Sequence, residues 1–343
     1  MLTRRRLIAG SIAATVAAPY LARAQAQRRE IVDDAGRRMR LPAEVNRVFA
    51  AGPPASLLLH ALAPQKLLGW TTPFREAEKP FMPASSLALP VLGRLTGRGN
   101  SANLETVLAA KPDLIIDYGS VNATYVSLAD RVEGQTGIPY LLLDGNLNRL
   151  DESVIALGLA TGDEARAVEL AAWLRDKITD LDARLGKRQG KPPRVYYGRG
   201  PRGLDTGLGG SINTELIERL GAENVAASLG RGGLVQVSIE QVLAWAPDVI
   251  VTIDVNFFAL LRQDPLWRAM PAVRAGRIHL APAVPFGWID FPPGLNRILG
   301  LDWLARRLYP GLFDDDPRDF VREAYRRLYH RAPDPAQLDQ LLA

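Results

Sequence analysis

The chain has 343 residues, with 42 lysines and arginines against 37 acids and no cysteine. The missing thiols exclude a disulfide framework, thiolate metal sites and a cysteine nucleophile. Four of the arginines fall in the first 26 residues, which hold no acid, so the formal charge of +5 falls to +1 beyond them. Nothing in that balance calls for nucleic acid or an anionic membrane surface.

Residues 1–26, MLTRRRLIAGSIAATVAAPYLARAQA, read as an export signal. They have a basic start at Arg4, Arg5 and Arg6, an apolar run from Leu7 to Leu21, and small-residue cleavage triplets ending at Ala24 and Ala26. Thr3-Arg4-Arg5-Arg6-Leu7 also fits a twin-arginine signal, and the general route stays open. With no cysteine for a lipid anchor, the expected place is the periplasm, free in solution.

After the signal, REIVDDAGRRMRLP reads as a β-hairpin with Asp34-Ala35-Gly36 as its turn. The apolar runs RVFAAG (47–52), KLLGW (66–70), DLIIDYG (113–119) and PYLLLD (139–144) then alternate with helical patterns, which predicts a parallel sheet in an α/β lobe. Thr161-Gly162-Asp163-Glu164 has the form of a capping box, and an unbroken helical stretch runs from it to Gly186. Ala171, Leu174, Ile178, Leu181 and Leu185 form its apolar stripe. A KRQGKPP linker leads to a second α/β series: RVYYGRG (194–200), a helix at SINTELIERLG, the strand in 238–254 and RIHLAP (277–282). From Leu295 the chain is helical again. The expected layout is an N-terminal lobe over 27–160, a backbone helix over 161–188 and a C-terminal lobe over 189–343.

One segment occurs twice. NLETVLAAKPDLIIDYG (103–119) returns 135 positions later as SIEQVLAWAPDVIVTID (238–254), with Glu105 and Glu240, Pro112 and Pro247, and Asp113 and Asp248 in register. Asn103 and Ser238 are suited to N-cap each helix, which puts the glutamates in the first turn, where a negative charge favours the helix dipole.

With GSINTELIERLGAENVAA (210–227) and PFGWIDFPPGLNRILGLDWLARRLYP (285–310), these repeats resemble the substrate-binding proteins of ABC importers for ferric siderophores, cobalamin and haem. The last stretch looks like the iron-complex subgroup. The resemblance implies two Rossmann-like α/β lobes joined by one long rigid helix, with a ligand cleft between them. It implies no enzymatic activity and no cofactor. The cargo would be a small-molecule metal chelate, and the partner an inner-membrane ABC permease dimer served by a monomer. Glu105 and Glu240 match the acids that such proteins present to permease arginines, one per lobe. Ser56-Leu57 replaces a Thr-Glu pair found in many relatives, so no carboxylate role carries over to position 57.

Open α/β sheets bind ligands at strand ends, which makes Gly52-Pro53, Trp70, Arg94, Arg98 and Tyr118 candidates in one lobe. Tyr197, Arg199, Arg202, Asp254 and Trp288 are the candidates in the other. Aromatic rings would stack on a chelate, and arginines would pair with its negative charge. His60, His279 and His330 are too scattered for a zinc-type site. An iron(III) chelate is the expected ligand, with cobalamin, haem, molybdate and tungstate as alternatives. An exported NAD(P)-dependent oxidoreductase is the competing reading of another class, because Gly198-Arg199-Gly200-Pro201-Arg202-Gly203 spells GxGxxG after a strand.

Overall fold

Asp33 makes the first turn. Its Oδ1 accepts hydrogen bonds from the backbone N–H groups of Ala35 (3.0 Å) and Arg37 (2.8 Å), an Asx-type turn. Gly36 sits there at a φ of 77°, and the turn pairs β1 (Arg29–Val32) with β2 (Arg38–Leu41). The computed structural model describes residues 29–97 and 101–342, so the expected signal and Arg98 lie outside the described residues.

Two parallel sheets carry the lobes. The first contains β3 (Val48–Ala50), β4 (Leu114–Gly119) and β5 (Tyr140–Asp144), paired in that order. The second contains β6 (Arg194–Tyr197), β8 (Glu223–Asn224), β10 (Val249–Thr252) and β11 (Ile278–Leu280), in the spatial order β11-β10-β6-β8. Most of their residues are buried, as expected of parallel strands covered on both faces. Between β6 and β10, β7 (Asp205–Gly207) and β9 (Leu234–Gln236) make a separate antiparallel ribbon. KLLGW, expected as a strand, is not one. Leu67 makes only an isolated bridge to Val48, and Trp70 another to Val91, because the 3-10 turn Pro64–Lys66 turns the chain just before.

Helix α1 (Pro53–Leu62) follows β3, α2 (Leu104–Ala110) precedes β4, and α3 (Ala123–Thr136) and α4 (Leu150–Thr161) flank β5. The connector α5 (Glu164–Leu185) has 22 residues, about 33 Å of helix. Of its expected stripe, Ala171, Leu174, Leu181 and Leu185 are buried, and Ile178 packs half-buried against the core. The expected capping box does not form. Thr161 is the last residue of α4, and its Oγ1 donates to the Leu157 carbonyl at 2.9 Å. Gly162 then turns the chain at a φ of 80°.

Second-lobe helices include α6 (Ile239–Trp245), α7 (Val255–Gln263) and α8 (Arg297–Leu308). The C-terminal α9 (Arg318–Tyr329) returns to the first lobe, although chain order assigns it to the second. It packs on α1, where the His60 ring Nδ1 reaches the Leu328 carbonyl at 3.3 Å and His330 Nε2 donates to the His60 carbonyl at 2.8 Å. One hydrophobic core therefore runs through both lobes, from Val48 and Leu57 to Val195, Val249 and Tyr325. No helix among the described residues is long and apolar enough to cross a membrane.

Candidate functional site

The repeat is also a repeat in three dimensions. Asn103 Oδ1 accepts from Thr106 N–H at 2.9 Å, and Ser238 Oγ accepts from Gln241 N–H at 3.2 Å, so each helix is N-capped as expected. Both helices end on a residue in the left-handed region, Lys111 at a φ of 48° and Ala246 at 46°. Glu105 and Glu240 both lie in exposed first turns. Hydrogen bonds from its own backbone N–H and from Ser238 hold the Glu240 carboxyl below its usual range, keeping it ionised.

The strand ends open into a cleft of about 780 Å³ lined by both lobes. From the first lobe come the α1 start at Pro53 and Pro54, the β4 end at Asp117 to Ser120, and the loop carrying Arg94 and Thr96. The second lobe supplies Arg199, just beyond β6, Asn213, and the segment from Pro285 to Pro293. Aromatic side chains wall much of the space. Trp70, Phe74 and Phe286 form one cluster with ring centroids 4.9–5.9 Å apart.

Asp290 organises the second-lobe wall. Its Oδ2 accepts from Arg199 Nε at 2.8 Å and the Tyr197 hydroxyl at 3.2 Å, and its Oδ1 accepts from Asn213 Nδ2 at 2.9 Å. The same Oδ1 accepts from Phe291 N–H at 2.8 Å. A carboxylate this buried needs such partners to stay charged. The Arg199 guanidinium in turn lies 4.6 Å from the centroid of the Phe291 ring. Phe291 has a φ of 58° and is 57% exposed. A bulky residue there costs on the order of 1–3 kcal/mol, a kind of strain that collects at functional sites.

Asp117 is its counterpart in the first lobe, without an arginine. Its carboxylate accepts from Thr96 Oγ1 (3.1 Å), Tyr118 N–H (3.0 Å) and the Tyr140 hydroxyl (3.2 Å). Burial nonetheless lifts its carboxyl to about 6, against the pull of those three hydrogen bonds.

The structure brings together Trp70, Arg94, Tyr118 and Arg199 on the cleft lining, while Arg98 lies outside the described residues. Four other candidates stand elsewhere. Tyr197 is buried in β6 behind Arg199 and serves Asp290. Trp288 is buried, with its Nε1 donating to the Tyr325 hydroxyl at 3.1 Å, so its ring is core rather than a stacking surface. Arg202 is exposed in the turn after β6 and does not line the cleft. Asp254 N-caps α7. Asp117, Phe74, Phe286, Asp290 and Phe291 were missed. For the last two the signal was the PFGWIDFPPG stretch itself, in which a carboxylate and an aromatic stand directly before two prolines.

The GxGxxG stretch is not a phosphate loop. It turns back into β7, with Arg199 and Asp205 bridged, and no helix opens on it. Its glycines make room for Phe257, since a Cβ at Gly198 or Gly203 would sit 2.3 Å or 2.2 Å from that ring.

Two α/β lobes, one connecting helix and a shared cleft define a bilobed ligand receptor. The periplasmic binding protein family matches residues 84–285, more than half of the chain, and the chain belongs to that family. The molybdate-binding protein MolA of Haemophilus influenzae is 29% identical over 276 residues, covering 70% of this chain and 74% of that one. A cobalamin-binding protein of Halobacterium salinarum is 25% identical over 248 residues, covering 69% of this chain and 63% of that one. An ABC transporter solute binding protein from Sulfurospirillum deleyianum has a TM-score of 0.80 at 26% identity, covering 91% of this chain and 98% of that one. The protein is thus a substrate-binding component of an ABC importer, of a family that works in the periplasm and serves a membrane permease.

Proposed function

We propose that the protein captures an iron(III) chelate of the siderophore type in this cleft and delivers it to an inner-membrane permease. The observation that carries the reading is a cleft of about 780 Å³ whose walls include a cluster of three aromatic rings, Trp70, Phe74 and Phe286, together with several prolines. That size falls in the range for organic ligands of drug size, and a bare tetrahedral oxyanion would leave most of it empty. The α1 start adds to this. Pro53 and Pro54 occupy its first two positions, so the helix end facing the cleft lacks two of the N–H donors that make such ends anion sites. Arg75, Arg94 and Arg199 line the cleft beside Glu78, Asp117 and Asp290, so the lining offers local cations to a chelate's anionic groups rather than a net positive field. In this reading Trp70, Arg94, Tyr118 and Arg199 contact the ligand, while Glu105 and Glu240 dock on the permease.

The molybdate-binding relative makes an oxyanion the second reading. Native mass spectrometry of residues 27–343 in a mixed pool separates the two. The pool holds ferric siderophores, ferric citrate, haem, cobalamin, molybdate, tungstate and NAD. One adduct at the mass of an iron chelate supports the proposal. A molybdate or tungstate adduct alone replaces it with the second reading, and an NAD adduct alone would return the oxidoreductase.

A further inference from the structure

Between Gly287 and Gly300 only one residue is exposed. Trp288, Ile289, Asp290, Leu295 and Arg297 are all buried, while Phe291 is 57% exposed on the cleft lining. Its backbone is in the left-handed region at a φ of 58°, where glycine or asparagine would sit with less strain. Hydrophobic burial does not account for a phenylalanine at this place, because more than half of the residue's surface is exposed. Something beyond folding has to explain it.

The backbone of Phe291 is held on both sides, and a guanidinium packs on its ring. Phe291 N–H donates to Asp290 Oδ1 at 2.8 Å, and the Phe291 carbonyl accepts from Gly287 N–H at 3.1 Å. The Arg199 guanidinium lies 4.6 Å from the ring centroid, itself fixed by Asp290 at 2.8 Å. A cation packed on a ring draws on the negative charge of its π-face. The exposed part of such a ring is less attractive to another cation and more attractive to an electron-rich, negatively charged π-system.

We infer that Phe291, backed by Arg199, is a stacking platform that selects ligands carrying a planar, aromatic, anionic group. The inference rests on the reading of the cleft as a chelate site and narrows it. Catecholate rings bound to iron(III) have this chemistry, and so does a metal tetrapyrrole with carboxylate side chains. Hydroxamate chelates carry no aromatic ring to stack, and tetrahedral oxyanions carry no planar group. Phe291 acts by contact with the ligand, and Asp290 is a positioning residue that holds both the platform and its cation.

The test measures dissociation constants by titration calorimetry for four probes: the iron(III) complex of 2,3-dihydroxybenzoate, haem, ferric desferrioxamine and molybdate. Wild type, Phe291→Gly and Phe291→Trp are compared, and the thermal midpoint of each is recorded. The wild type should favour the catecholate or haem over desferrioxamine and molybdate, and whichever of the two binds names the source of the π-system. Phe291→Gly should weaken that ligand about tenfold or more, the scale of one lost aromatic contact with its burial, and Phe291→Trp should keep it. Because glycine relieves the backbone strain, the midpoint of Phe291→Gly should hold or rise, which separates lost contact from lost fold. Tight binding of desferrioxamine to wild type, unaffected by Phe291→Gly, would overturn the platform while leaving the chelate reading intact. Binding of molybdate alone, or of no probe, would overturn both.

Discussion

Arg47 and Arg194 cap the two copies of the repeated helix in the same way. Arg47 Nε and Nη2 donate to the carbonyls of Lys111 (3.0 Å) and Ala110 (2.6 Å) at the end of α2. Arg194 Nη1 donates to the carbonyls of Trp245 and Ala246 at the end of α6. The repeated aspartates close each unit from the other side. Asp113 Oδ2 accepts from Asn46 and Arg47 N–H, both at 2.8 Å, and Asp248 Oδ2 accepts from Arg194 N–H at 2.9 Å. Strand start, helix end and the next strand are thereby tied into one unit per lobe.

If the guanidinium caps matter, Arg47→Met and Arg194→Met should each cost about 1 kcal/mol, the scale of a cation at a helix C-terminus. The sites are in different lobes, so the double variant should lose the sum. Denaturant unfolding monitored by circular dichroism reads this. A loss in the double variant that exceeds the sum of the two single losses would mean the units are coupled.

These contacts also mark where sequence reading stops. The 135-residue repeat was visible because Asn103 through Asp113 and Ser238 through Asp248 keep one spacing, which preserves cap, first-turn glutamate and strand together. Arg47 and Arg194 do not share that spacing, and their partners lie 63 and 51 residues away, so no local pattern points to them. The capping box at Thr161 failed for a local reason, since Gly162 ends α4 and leaves Thr161 inside the helix before it. In the cleft, Arg199 was legible as a charge at a strand end. That Asp290, 91 residues on, would neutralise it was not. Trp288 and Tyr197 looked like stacking rings because composition does not say which aromatic faces the core.

Asp117 and His60 push stability in opposite directions with pH. The Asp117 carboxyl is raised from 3.8 to about 6 by burial, so its ionisation costs stability as pH rises from about 4 to 6. His60 is lowered from 6.5 to about 3, by burial first and then by the His330 charge. It holds full stability above 6.5 and loses it on acidification, by about 2 kcal/mol at pH 5. His279 and His330 are lowered as well and act in the same direction. Asp117→Asn should stabilise the protein by about 1–3 kcal/mol at pH 7.5, and the gain should shrink below pH 6 and vanish near pH 4. Unfolding midpoints measured from pH 4 to 8 test this, and a gain that does not change with pH would refute it.

Glu105 and Glu240 are exposed, one per lobe, and each sits in the first turn of an N-capped helix. Replacing both with arginine should abolish delivery to the permease in reconstituted vesicles while ligand affinity stays within about twofold, since neither lines the cleft. Each single variant should show a partial loss, because the other lobe keeps its carboxylate. Loss of ligand affinity in the double variant would move these residues from docking to binding.

Besides α5, the lobes are joined by a buried ion pair close to the cleft. Arg297, 0% exposed at the start of α8, donates from Nη1 to Glu215 Oε2 at 2.9 Å and to the Ile212 carbonyl at 3.1 Å. Its Nη2 donates to the Gly145 carbonyl just beyond β5 in the first lobe, and Glu215 Oε1 accepts from Leu147 N–H at 3.0 Å. Removing one member leaves the other charge buried and unmatched, so Arg297→Met should cost about 3–5 kcal/mol. Replacing Glu215 with leucine in the same chain should recover part of that loss, because an apolar pair needs no counter-charge. With a stiff helix and this pair both in place, the radius of gyration from solution scattering should not change on ligand loading beyond experimental error. In Arg297→Met the unloaded protein should be measurably larger, and loading should restore the wild-type value. A wild type that contracts on loading as much as the variant does would show that the pair does not restrain the lobes.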